Sequence, residues 1–248
     1  MSELVNFSAI ETTLTPVQPG QSQDKGDMFG FHELMGFCIT ASCPLRCQHC
    51  MFGSLLERRD IPQQADLCDW LEQAAQTGYL RLISLTGGEP FYAFEKLKAL
   101  VARGATLNLR INTVTNAYWA VSKEAAQALL SQLTGLTDLY ISTDEFHARD
   151  IPLDYVLNAS HVAHEMGLRV SLSVSYCRIE DYWDFRSQLE RRLEIPIPIV
   201  PLQIVRQGNA ERLGLERFDL TEYIPRGRCR GINVPMVDKN GVVHACCE

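Results

Sequence analysis

Residues 169–176 read RVSLSVSY. Side chains alternate across an extended chain, so Val170, Leu172 and Val174 share one face and Ser171, Ser173 and Ser175 the other. A strand buried on both faces of a doubly wound sheet reads as a continuous apolar run. A closed eight-stranded barrel fills its interior with branched apolar side chains. One apolar and one polar face instead predicts helices outside and a wet lumen inside. The same split recurs in 107–113, where Leu107, Leu109 and Ile111 oppose Asn108, Arg110 and Asn112. In 139–144, Leu139 and Ile141 oppose Tyr140, Ser142 and Asp144.

Working outward, strand-like segments at 36–40, 82–86, 107–114, 138–144, 169–176 and about 199–206 alternate with helical patterns at 62–77, 92–103, 122–133, 153–166 and 181–193. In the first helix Leu67, Trp70, Leu71, Ala74 and Ala75 recur at helical spacing, with Pro62 near the start and Gly78 after the end. Ser122 is a natural N-cap, and Gly167 ends the fourth helix. Six consecutive β/α units predict a parallel sheet with right-handed crossovers. The expected fold is α/β: a splayed, partial (β/α)6 TIM-like barrel over 31–215. An N-terminal arm or linker over 1–30 precedes it, and a small C-terminal β-hairpin extension over 216–248 follows.

The chain has 248 residues and a net charge of −7, which argues against a general nucleic-acid surface. No apolar run approaches the ~20 residues of a membrane span, and the first residues lack a secretory pattern. A cytoplasmic protein with neither membrane nor nucleic-acid partners is expected. The nine cysteines are an odd number in such a compartment, which fits metal binding better than a disulfide framework.

Cys43-Pro-Leu-Arg-Cys47-Gln-His-Cys50 directly follows the first strand. Three thiolates on one loop can grip three corners of an iron–sulfur cubane, whereas clusters that only carry electrons normally have four protein ligands. Three ligands leave one iron open, the logic that separates catalytic from structural zinc. A strand-to-helix loop at this edge of a parallel sheet is also where such folds place active sites. The alternative is a zinc site, but no matching ligand pair follows within the next thirty residues.

Gly87-Gly88-Glu89-Pro90 closes the second strand. With CX3CX2C after the first strand, it makes residues 36–248 resemble the radical S-adenosylmethionine superfamily. The resemblance implies a [4Fe–4S] cluster on Cys43, Cys47 and Cys50, whose open iron is chelated by S-adenosylmethionine. It implies that Gly87, Gly88, Glu89 and Pro90 line the site of the methionine amino group. Thr115 and Asn116 look like the family's Thr-Asn pair, although Ala117 replaces the usual following glycine. Ser142 and Asp144 resemble its ribose-contacting residues, and Ser173 a carboxylate or ribose contact. His49 stands where an aromatic residue commonly packs near the adenine.

Cys229 and Cys246 are separated by a hairpin signal at Asn240-Gly241. The CX11GX4C spacing resembles the start of the SPASM/Twitch extension. That implies an auxiliary iron–sulfur cluster on Cys229 and Cys246, with Cys247 or Cys177 as a further ligand. At the end of the fourth strand, Asp144, Glu145 and His147 are candidate catalytic residues for binding substrate or moving protons. Arg110 and Arg206 are candidates for neutralising a substrate anion. His161, His164, Cys38 and Cys68 read as structural or surface residues.

The resemblance implies reductive cleavage of S-adenosylmethionine to a 5′-deoxyadenosyl radical that abstracts hydrogen from substrate. The reductant would be flavodoxin or ferredoxin. The expected substrate is a peptide in natural-product maturation, held by direct lumen contacts or presented by a separate peptide-recognition protein. The alternatives are a small sugar, nucleoside or amino acid, and, from another class, a non-catalytic iron–sulfur electron carrier.

Overall fold

A computed structural model describes residues 33–53, 62–219 and 234–245. Six parallel strands run in chain order: β1 (Leu34–Thr40), β2 (Leu82–Gly87), β3 (Arg110–Thr115), β4 (Asp138–Ser142), β5 (Arg169–Tyr176) and β6 (Ile199–Gln203). Between them lie α1 (Gln64–Gln76), α2 (Phe94–Thr106), α3 (Lys123–Leu130), α4 (Leu153–Glu165) and α5 (Ile179–Glu190). The splayed partial (β/α)6 barrel expected from the strand faces is the arrangement observed.

The two faces differ as the alternation requires. Ile83, Leu85, Ile111, Leu139, Ile141, Leu172 and Val174 are fully buried against the helices. They meet Leu67, Leu71, Leu97, Leu100 and Val101 from α1 and α2 and Val156, Ala159 and Val162 from α4 in one core. Full burial of each larger aliphatic side chain stabilises by about 1.5–3 kcal/mol. On the opposite face Ser84, Thr86, Ser142, Ser171 and Ser173 are half-buried and Tyr140 is exposed. Asn112 Nδ2 donates to Ser84 Oγ across this face at 2.9 Å.

One boundary differs from the sequence expectation. Leu107 and Asn108 do not begin the third strand: α2 runs to Thr106, and Asn108 turns the chain at φ 56°. Asparagine tolerates that left-handed conformation, so the apolar alternation at 107–109 continues through a turn.

Residues 236–244 form the expected hairpin. β7 (Met236–Val237) adds parallel to β1, and β8 (Val243–His244) returns antiparallel to β7. Asp238 Oδ1 accepts from the backbone of Asn240 and Val242, which pins the turn. Cys229, Cys246 and Cys247, and the arm over 1–30, lie outside the described residues.

Candidate functional site

The site forms where the chain leaves β1 and β2. Cys43 and Cys47 are buried and Cys50 half-buried on the loop after β1, packed with Leu45 and Ile151. None of the described cysteines forms a disulfide. The GGEP turn lies directly on this loop: Gly88 N donates to Thr40 O at 2.7 Å and Glu89 N to Ser42 O at 2.8 Å. The approach excludes side chains. Gly87 sits at φ +126°, and Cβ atoms on Gly87 and Gly88 would come within 2.2 and 2.1 Å of the carbonyl oxygens of Thr40 and Ser42.

Glu89 is 1% exposed. Its Oε1 accepts from Phe91 N at 3.0 Å and Thr115 Oγ1 at 2.8 Å, and its Oε2 accepts from Asn116 N at 2.8 Å. The carboxyl is therefore a strut joining the GGEP turn to the end of β3. Burial pushes it up to about 7, against the pull of those three hydrogen bonds. Trp119 Nε1 also donates to Thr115 Oγ1, and its ring stacks on Phe91 at 4.1 Å. Ala117 has φ +62°, and alanine holds that left-handed turn while fully buried.

The three thiols fit an iron–sulfur group by the chemistry of their surroundings. Burial raises Cys43 to about 12, and the charges of Glu89, Cys47 and Cys50 push the same way. A buried thiol so placed is held as a thiolate by a cation that supplies the compensating charge. Leu45 N donates to Cys43 Sγ at 3.4 Å and Asn116 Nδ2 reaches it at 3.7 Å, so donors already face the sulfur.

Asp144, at the end of β4, is fully buried. Its Oδ1 accepts from the backbone of Phe146 and His147, both at 2.9 Å, and its Oδ2 meets His147 Nδ1 at 2.8 Å. His49 Nε2 lies 3.6 Å from the same Oδ2, and its ring sits 4.7 Å from Phe146 and 4.9 Å from His147. The sequence candidates His49, Asp144 and His147 thus converge beside the cysteine loop. Burial opposes charge on both histidines. At His147 the Asp144 carboxylate and Cys47 overcome it and hold the imidazole well above its usual range; at His49 burial wins and lowers it to about 4. Asp144 is lowered despite its burial, mainly by His147.

A stability change with pH follows for the metal-free protein. The folded state keeps the His147 proton above the pH at which the unfolded chain releases it. The stabilisation is complete below the unfolded value of about 6.5 and is lost as pH rises toward the folded value. Between pH 7 and 8.5 the free energy of unfolding from urea titrations should fall by up to about 1.4 kcal/mol per pH unit, and the urea midpoint with it. The fall should be reduced in His147→Gln; a midpoint that rises over this range in the native sequence would contradict the coupling.

Other candidates lie elsewhere. Glu145 is half-exposed and ion-paired with Arg217 and, at 4.0 Å, with Arg149. Arg110 is bound to Asp138 at 2.8 Å, and Arg169 reaches the same carboxylate at 3.1 Å. That group closes the strands' N-terminal end, roughly 16 Å along β3 from Thr115. Arg206 instead bonds the carbonyls of Glu211 and Leu213. Ser142 and Ser173 are register partners on β4 and β5, on the lumen face. Cys177 is buried among Phe146, Ile204, Ala210 and Leu213. His161 pairs with Glu165 on the surface of α4.

One element of the site was not anticipated from sequence. After β6, Asn209 N donates to Cys50 O at 2.9 Å and Asn209 Nδ2 to Cys47 O at 3.1 Å. Gly208, at φ +61°, lets this segment lie on the loop; a Cβ there would come within 2.2 Å of Met51 O. Asn209→Ala should cost about 1 kcal/mol of stability. It should also weaken iron retention about 10–100-fold, read as the rate of loss to a chelator. Unchanged retention would show that the clamp does not support the loop.

Comparison with known proteins gives a consistent picture. The family model of the Radical SAM superfamily matches residues 37–186. The putative peptide biosynthesis protein YydG of Bacillus subtilis (strain 168) is 22% identical over 227 residues, covering 88% of this chain and 70% of YydG. GTP 3′,8-cyclase of Listeria welshimeri serovar 6b is 30% identical over 154 residues, covering 57% of this chain and 45% of the cyclase. Among solved structures, Streptococcus suis SuiB bound to S-adenosylmethionine superposes with a TM-score of 0.55 at 16% identity, covering 88% of this chain and 60% of SuiB. The chain therefore spans about half of the cyclase and three fifths of SuiB.

Proposed function

The chain belongs to the radical SAM superfamily, and from that premise we propose that it modifies a peptide by a radical reaction begun on S-adenosylmethionine. The observation that carries the proposal is the buried loop of Cys43, Cys47 and Cys50 seated on the GGEP turn. A [4Fe–4S] cluster bound there, reduced by a flavodoxin or ferredoxin, would supply the electron that splits S-adenosylmethionine into methionine and a hydrogen-abstracting 5′-deoxyadenosyl radical.

In this reading the residues bind, orient and exclude water. Cys43, Cys47 and Cys50 hold the iron. Gly87 and Gly88 bring the backbone of β2 against the loop without intervening side chains, and Pro90 begins the turn that leaves the site. Glu89, Thr115 and Asn116 fix the distance between that turn and β3. Ser142, Asp144 and Ser173, with His49, line the lumen side where the nucleoside would lie. The half-buried serine face of β5 offers hydrogen-bonding groups to a polar substrate beyond it.

The peptide assignment rests on YydG, whose match extends over most of both chains. The cyclase match, over 57% of this chain, would favour a nucleotide substrate. Cys229, Cys246 and Cys247 would hold an auxiliary cluster, detectable as iron content above that of one cluster. The test is anaerobic reconstitution followed by S-adenosylmethionine, dithionite and deuterated candidates. Deuterium from a peptide should appear in 5′-deoxyadenosine. Transfer only from a nucleotide would replace the peptide reading. No 5′-deoxyadenosine at all would overturn the enzymatic one.

A further inference from the structure

We propose that the open edge of the sheet, β6, is where the peptide substrate docks: an extended segment adds as a further strand at Gln203, against an apolar wall of Val200 and Leu202. This rests on the peptide reading above and goes beyond it by placing the peptide. β6 ends the sheet and pairs on one side only, with β5. Leu172 N donates to Pro198 O and Ile204 N to Tyr176 O, both at 2.9 Å. Main-chain groups alternate in direction along a strand, so those of Val200 and Leu202 also face β5. Those of Ile199, Pro201 and Gln203 face outward.

Most of that edge is closed. Tyr182 Oη donates to Ile199 O at 3.1 Å, Pro201 has no N–H, and Val205 O accepts from Gln207 N at 2.9 Å. A proline on an edge guards it against unlimited pairing with other chains. Among the described residues, no partner reaches the outward N–H and C=O of Gln203. One residue of an extended peptide satisfies both groups, and Pro201 O accepts one bond more from the residue two positions along. The edge thus sets a register as well as a place.

The side chains fit the same ligand. Val200 and Leu202 are register partners of Ser173 and Ser175, so they share the lumen face. Although apolar, they are 49% and 55% exposed. A peptide residue bonded to Gln203 turns its own side chain to the other face, and its neighbours project into the lumen beside Val200 and Leu202. An apolar neighbour covers that wall. The edge also leads to the reaction centre: a few residues past Gln203, Asn209 bonds the carbonyls of Cys50 and Cys47. A nucleotide has no alternating main-chain donors and acceptors for this edge, and β6 (IVPLQ) offers no cation to its phosphates.

The experiment extends the deuterium assay to Gln203→Pro and Leu202→Ser in the reconstituted protein. The probe is a pool of perdeuterated, end-capped heptapeptides with valine, leucine or isoleucine at the centre and alanine or serine elsewhere. Gln203→Pro removes an outward donor and no bond to β5, while Leu202→Ser removes the wall. Each should raise the KM for deuterium transfer about three- to tenfold, with kcat nearly unchanged. Formation of 5′-deoxyadenosine without peptide should stay at the native level, which checks that barrel and cluster are intact. A native KM in both variants overturns the proposal. If a variant fails that check, the native protein decides, with the same pool methylated at every amide nitrogen. Lost transfer supports strand addition, and undiminished transfer overturns it. A native dimer that Gln203→Pro dissolves without a change in KM assigns the edge to a second copy instead. If the native protein takes deuterium from no peptide of the pool, the peptide reading itself falls, and this inference with it.

Discussion

Replacing Cys47 by alanine is expected to abolish 5′-deoxyadenosine formation while leaving the barrel folded. Cys47 is buried on the loop after β1, and its main-chain carbonyl accepts from Asn209 Nδ2. Alanine keeps the backbone, so that clamp survives. The core of β-strand and helix residues lies on the other face of the sheet and is untouched. The loss falls on the sulfur alone. Two thiols cannot replace three corners of a cubane, and the drop should exceed the about 100-fold that loss of a supporting hydrogen bond costs a metal site. Anaerobic iron analysis, far-ultraviolet circular dichroism and product assay on one preparation check it. Full turnover in Cys47→Ala would mean that the metal centre lies elsewhere.

The second large effect is expected from Glu89→Gln, where a one-atom change removes an acceptor that three donors share. Oε1 and Oε2 accept from Phe91 N, Thr115 Oγ1 and Asn116 N. Glutamine offers one acceptor oxygen and places an NH2 group against an N–H. At least one buried donor is left unsatisfied, which costs about 1–3 kcal/mol, with added repulsion between donors. Thermal unfolding of the metal-free protein should show the loss directly. Binding of S-adenosylmethionine should weaken as well, because the strut holds the GGEP turn against the cysteine loop. Glu89→Ala should be worse, since all three donors lose their partner. A Glu89→Gln protein as stable as the native one would show that the carboxyl is not the strut described.

Much of this architecture was legible in the chain because its causes are local. Alternation in 169–176 follows from the two-residue repeat of a strand, and the helices over 64–76 and 153–165 follow from apolar spacing and their flanking residues. The rule misled at Leu107–Leu109, where the helix end and a left-handed Asn108 happen to continue the apolar alternation. The site was readable where chemistry is concentrated in motifs, at Cys43–Cys50 and Gly87–Pro90. It was unreadable where the partner is remote. Asn209 looks like an ordinary turn residue after glycine, and nothing local reveals a bond to Cys47 from 162 positions away. Phe91 and Trp119 are likewise unremarkable singly; their stack exists only because β2 and β3 end side by side. Glu145 and Arg110 show how a suitable residue type leaves its partner open. Each has a suitable group, but one turns to Arg217 and the other lies at the opposite end of its strand.

The central claim is tested most directly by electron–nuclear double resonance on the reduced, reconstituted protein with S-adenosylmethionine labelled with 15N at its amino group. The account predicts a 15N coupling to the cluster, present with native Cys43, Cys47 and Cys50 and absent in Cys47→Ala. A reduced cluster that binds the labelled molecule without any such coupling, or a centre fully ligated by protein, would contradict it.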